Sequence, residues 1–103
     1  MACNVRIQLT ALRELDSIVA YLSGFGVQTA SSFLDEWDAM LERLHEGAVE
    51  YPLSRFEVLA RLGYHTVLVK NYVVLYFCES DSRVIAHVFH QSQDYATIVL
   101  RGL

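Results

Sequence analysis

Proline occurs once in this chain, glycine five times and cysteine twice, while Lys and Arg together number eight against twelve Asp and Glu. Each scarcity excludes something. With so little proline and glycine, no segment reads as a flexible linker, and no internal repeat or low-complexity tract divides the 103 residues. One domain spanning residues 1–103 is expected, of a size that can bury a core without staples. Cys3 and Cys78 stand far apart, with neither a CxxC pair nor a Cys/His spacing. Neither a zinc motif nor a disulfide framework follows, and both cysteines read as small buried apolar residues in a reducing cytosol. No metal and no cofactor is expected. A net charge of −4 lacks the positive excess with which dedicated nucleic-acid binders attract phosphate. The opening MACNVRIQLT lacks the basic-then-apolar profile of a signal peptide. The longest apolar run, Val67 to Cys78, is interrupted by Lys70-Asn71 and is too short to span a bilayer. A cytoplasmic protein with no membrane partner is expected.

What the chain does have is apolar patterning, with 53% hydrophobic residues. Val5, Ile7 and Leu9 alternate with polar neighbours, the period of a strand with one buried face. Thr10 offers a hydroxyl N-cap to a helix whose apolar positions are Leu12, Leu15, Ile18, Val19 and Leu22. Ser23-Gly24-Phe25-Gly26 stops it, either glycine being able to take a left-handed cap conformation. Ala30, Phe33, Leu34, Trp37, Met40, Leu41 and Leu44 then recur at three- and four-residue steps and predict a second helix, ended by Gly47. A short connection packs the two as an antiparallel hairpin, with Phe33 and Trp37 in the core.

Tyr51-Pro52-Leu53 opens an irregular connection. His65–Val69 and Tyr72–Cys78, rich in β-branched and aromatic residues and joined at Lys70-Asn71, predict two strands. The second is apolar on both faces, as a central strand should be. Glu79 to Ser82 is a polar turn, and Val84 to Phe89 predicts a further strand. Asp94 to Leu100 reads equally as a short helix or a strand. The order β-α-α-β-β-β predicts an α+β domain: an N-terminal strand, a helical hairpin, then a three-stranded antiparallel meander, with the helices on one face of the sheet.

This order, with the residues that fill it, resembles the RelE/ParE superfamily of bacterial type II toxins. The resemblance covers nearly the whole chain. It rests on the first strand, Ala30 to Phe33 in the helical pair, Tyr51-Pro52, Leu62-Gly63-Tyr64-His65, the run Lys70 to Tyr76, and the closing His90-Gln91-Ser92-Gln93-Asp94-Tyr95. It implies a toxin held by a cognate antitoxin protein. It further implies one of two targets: ribosome-bound mRNA, cleaved without a metal, or DNA gyrase, inhibited without chemistry. A relative that has lost its chemistry is the third reading.

Cleavage through the RNA 2′-hydroxyl needs a base for its proton, cations on the phosphoryl oxygens and an acid for the leaving oxygen. By resemblance, the candidates are Arg61, His65 and Lys70 before and within the first hairpin, then His90 and Tyr95 at the end. His90 is the best single acid or base, since its ordinary pKa lies near neutrality. Its alternative role is to tie down the C-terminal segment. His65 stands where relatives commonly carry arginine, and neutral imidazole is no phosphate clamp. Lys70 reads more readily as a solvated turn residue, while Arg61 reads equally as a partner of Glu57 or another acid and Tyr95 as a buried ring. The closing strand also lacks the arginines of strongly nucleolytic members, with Gln91 and Gln93 in their place. The histidine at the strand end, with a tyrosine five residues on, tips the expectation toward the nuclease.

Overall fold

Four segments marked by alternation or β-branched content form one sheet. In the computed structural model, which describes residues 2–47 and 50–102, the elements run β1 (Asn4–Ile7), α1 (Leu9–Ser23), α2 (Val27–Glu46), α3 (Glu57–Arg61), β2 (His65–Val69), β3 (Tyr72–Glu79), β4 (Ser82–His90) and α4 (Tyr95–Arg101). The strand order is β1-β4-β3-β2. β2, β3 and β4 are the expected antiparallel meander, and β1 joins in parallel beside β4. The α+β architecture read from the sequence is the one observed.

Successive side chains on a strand point to opposite faces. Along β3, Tyr72, Val74 and Tyr76 meet the helical hairpin, while Val73 and Leu75 face the other way. On the hairpin side, Phe33, Trp37, Met40 and Leu44 of α2 pack with Ala11 of α1 against β2, β3 and β4. Phe33 lies edge-on to Tyr72 at 5.3 Å between ring centroids, so the aromatics of α2 are core. The opposite face is covered too. Leu59 of α3 and Tyr95 and Val99 of α4 lie over Val73, Leu75 and Phe89. α3 has five residues, too few for periodicity to reveal. The C-terminal segment is a helix, begun by Asp94, whose carboxylate accepts from the Thr97 amide at 3.4 Å and its hydroxyl at 2.7 Å.

Three local expectations fail. Leu9 opens α1 and is 60% exposed. Gln8 is the N-cap, and its amide still donates to the Ile85 carbonyl, so the chain leaves the sheet only there. Thr10 therefore falls inside the first helical turn and caps nothing. Gly24 is right-handed, at φ −64°, and Gly26 takes φ +122° with ψ 155°, an extended mirror conformation that favours glycine. The left-handed cap occurs at Gly47, φ 71°. Neither cysteine is buried: Cys3 is partly exposed and Cys78 exposed.

β1 pairs only with Ser82–Ile85, leaving the second half of β4 without a strand on that side. Glu14 of α1 stands in. Its carboxylate accepts from the Val88 amide at 2.9 Å and lies 3.3 Å from His87 Nδ1. A side chain thus blunts an edge that would otherwise offer unpaired backbone. A bulge at Leu75/Tyr76 on the other side of β4 shifts the register by one residue and bends the pair.

Arg83, 5% exposed, reaches from β4 to the C-terminus of α2, where it donates to the Leu44 carbonyl at 3.1 Å and pairs with Glu50 at 3.0 Å. A cation there complements the helix dipole. The Tyr76 hydroxyl donates to Glu50 at 3.0 Å and accepts from the Tyr51 amide at 3.2 Å. Removing Glu50 would leave the buried Arg83 guanidinium without this counter-charge, which is costlier than never having built the pair. Burial pushes the Tyr76 hydroxyl well above the usual phenol range, and the Glu50 carboxylate adds to the rise against the opposing Tyr51 amide.

Two outcomes follow for stability. In urea denaturation, Thr10→Ala should change stability by no more than about 0.5 kcal/mol, whereas Asp94→Ala should cost about 1 kcal/mol through the lost cap. On the alkaline side, a folded-state pKa above the unfolded one means Tyr76 contributes fully below the ordinary phenol value near 10 and loses that contribution as pH rises toward its folded value. Melting temperature should therefore fall from about pH 10 upward, and Tyr76→Phe should flatten that slope.

Candidate functional site

The face of the sheet covered by α3 and α4 is incompletely covered. Beyond that cover, a cavity of about 530 Å³ opens over β2, lined among others by Leu53, Arg55, Thr66, Leu68, Gln91 and Tyr95. The Pro52 carbonyl accepts from the Thr66 amide at 2.9 Å, so the connection before α3 forms one wall and holds Leu53 at the rim. Leu53 and Leu68 remain 50% and 57% exposed. The Thr66 hydroxyl is sealed from solvent and is the one buried side-chain polar atom without a partner among the described residues. Arg55 supplies the charge, its guanidinium 4.9 Å from the centroid of the Phe56 ring. This lining is mostly apolar with a few polar points, the makeup of a recognition surface.

Tyr95 forms the inner wall. It is 3% exposed, stacked on Phe89 at 6.0 Å and edge-on to Phe56 at 5.1 Å. His90 lies on the other face. It pairs in register with Tyr72, and the two rings meet edge-on at 5.3 Å beneath α1. Its Nδ1 accepts from the Ser92 amide at 3.1 Å and lies 2.7 Å from the Ser92 hydroxyl, while its own amide donates to Gln93. The histidine braces the turn between β4 and α4, with Nε2 left to carry the proton when the ring is neutral.

Lys70 sits in the β2–β3 turn at φ 55°. The Asn71 carbonyl next to it accepts from the Gln91 amide at 2.8 Å, so Lys70 and His90 share one end of the sheet, flanking Tyr72. His65 begins β2, four residues from Val69, or roughly 13 Å away at about 3.3 Å per step. There its ring stacks on Tyr76 at 5.0 Å, and Nδ1 donates to the Tyr51 carbonyl at 2.7 Å. Arg61 is exposed on α3 and ion-pairs with Glu57 one helical turn earlier.

Of the five candidates, then, the fold brings together only Lys70 and His90. A general acid or base works within hydrogen-bond reach of the atom it serves. One phosphate cannot touch both His90 and Tyr95 across the sheet, nor both Lys70 and His65 along it. The sequence reading passed over the groove and the polar cluster of Glu50, His65, Cys78 and Arg83. No spacing marks either, because both are assembled by strand register.

The family model of the ParE toxin of the type II toxin–antitoxin system parDE matches residues 5–95. No curated protein matches the chain. In fold it is similar to a chain of the chromosomal ParDE system from P. aeruginosa, with a TM-score of 0.69, 12% identity, and coverage of 86% of this chain and 96% of that one. It is also similar to a chain of the toxin–antitoxin complex RelBE2 from Mycobacterium tuberculosis, at 22% identity over 90% and 95% of the two chains with a TM-score of 0.48. With a family match that runs from the first strand to the start of the last helix, the chain belongs to the ParE toxins of type II toxin–antitoxin systems.

Proposed function

We propose that this toxin inhibits growth by binding a protein target, DNA gyrase being the one the family resemblance supplies, and that a cognate antitoxin protein neutralises it. The observation that carries the reading is the separation of His90 from Tyr95 by the sheet, with Tyr95 sealed against Phe89 and Phe56. Acid–base groups contribute about 10²–10⁴ in rate when positioned together, and here the groups available for that work are apart. The charge of −4 argues the same way, since a ribosome-directed enzyme gains its affinity from phosphate contacts. The antitoxin partnership draws on the family and on the ParDE pairing of the P. aeruginosa relative. Within this reading the groove over β2 is the contact surface, because Leu53 and Leu68 are large apolar side chains left half-exposed beside a sheet edge.

Induced expression should arrest growth with gyrase-dependent DNA damage, and co-expression of the neighbouring antitoxin gene should relieve it. Purified ribosomes carrying a short message should show no position-specific cleavage, and His90→Ala should arrest growth as the parent does. Cleavage that disappears in His90→Ala would reverse the assignment in favour of mRNA cleavage. Leu68→Glu should abolish the arrest while thermal unfolding stays within a few degrees of the parent. Full toxicity in that variant would move the contact surface elsewhere.

A further inference from the structure

We propose that Glu50, His65 and Cys78 form a site for one divalent transition-metal ion of the zinc type, at the point where the connection after α2 meets the β2–β3 hairpin. One donor atom from each residue lies within 4.8 Å of the other two. Glu50 Oε1 lies 3.7 Å from Cys78 Sγ. Zinc bonds of about 2.0–2.3 Å in a tetrahedron place donors roughly 3.3–3.8 Å apart. The carboxylate–thiol edge already has that spacing. Strand register assembles it: His65 pairs with Tyr76, and Cys78 follows two residues later on the same face of β3.

The donors are already oriented by their neighbours. Arg83 holds Glu50 Oε2 at 3.0 Å, while Oε1, which accepts from the Tyr76 hydroxyl at 3.0 Å, lies beside the Cys78 thiol. The Tyr51 carbonyl keeps the proton of His65 on Nδ1, making Nε2 the nitrogen with a free lone pair. A backbone carbonyl on the second ring nitrogen is the usual support of a metal-bound histidine. Stacking on Tyr76 fixes the ring plane. Thiolate, imidazole and carboxylate together suit a borderline-soft ion and not magnesium or calcium, which take oxygen donors. The Arg83 charge opposes any cation nearby. Even so, metal binding releases the Cys78 proton, and the thiolate and carboxylate then exceed that charge by one. Water fills the fourth position. Bound metal would fasten Glu50 to the sheet, and this assignment stands apart from the choice of toxic target.

The test uses the 103-residue chain and its Cys3→Ser variant, in which Cys78 is the one remaining thiol. Zinc is titrated while melting temperature and the rate of reaction of Cys78 with a chromogenic disulfide reagent are followed. The expected result is saturable one-to-one binding that raises the melting temperature, slows the thiol at least ~10-fold and is reversed by a chelator. Cobalt in place of zinc should give the visible bands of a tetrahedral thiolate site. His65→Gln and Glu50→Gln should each weaken zinc binding by ~10- to 100-fold. An unprotected thiol in the zinc-treated parent overturns the proposal. Equal protection in parent, His65→Gln and Glu50→Gln overturns it as well, since that would mean zinc held by the thiol alone.

Discussion

Everything in this molecule follows from the burial of β3 and β4 on both faces. Two apolar faces need two covers. The hairpin of α1 and α2 supplies the first with Phe33, Trp37, Met40 and Leu44, and the short helices α3 and α4 supply the second with Leu59, Tyr95 and Val99. The same alternation fixes the chemistry at the end of β4. Phe89 and His90 are adjacent and so point to opposite faces, and Tyr95 returns to the face of Phe89 because it must cover it. What reads in one dimension as a histidine and a tyrosine five residues apart becomes two groups with a sheet between them.

Polar groups hold the ends of this arrangement where apolar packing runs out. Glu14 satisfies the β4 edge that β1 is too short to cover. Arg83 takes up the Leu44 carbonyl near the end of α2 and draws Glu50 onto the sheet, and Tyr76 and His65 close around that carboxylate. Both devices link residues far apart in sequence, and both sit where a helix meets a strand that ends early. They are structural in the first instance. The second also gathers unlike metal-binding donors, because an anchored carboxylate beside a β-hairpin finds whatever side chains the register presents.

The layers were legible in the sequence because they depend on period. The α2 stripe from Ala30 to Leu44, the bounds of β2 at His65 and Val69, and the hairpin turn at Lys70-Asn71 all emerge as read. Features decided by partners far along the chain were not legible. Leu9 continues the alternation of Val5 and Ile7 yet opens a helix, because the parallel pairing ends at Ile7 and Ile85. α3 is one turn long and carries no period of its own. Cys78 sits in an apolar run and reads as buried, but it lies near the end of β3 where cover by the helices has stopped. Site geometry failed for the same reason: residue types and their order along the chain do not carry the parity of each strand position.

On the reading proposed above, the toxin-family fold stands without the chemistry of a cleaving branch, and that has a physical basis. The fold is held by the apolar parity of β3 and β4 and by polar links at their ends. Neither requires a cation on the outer face. The positions around the groove over β2 are then free to be Leu53, Thr66, Leu68 and Gln91, and they are. An apolar surface cannot stabilise charge building on a phosphoryl group, since that takes oriented donors or cations at the reacting oxygens. It can exclude water from a contact with another protein, which is where half-exposed leucines beside a strand edge gain free energy. The recognition proposed for this surface draws on that balance, with one arginine in the groove and the histidine on the far side of the sheet.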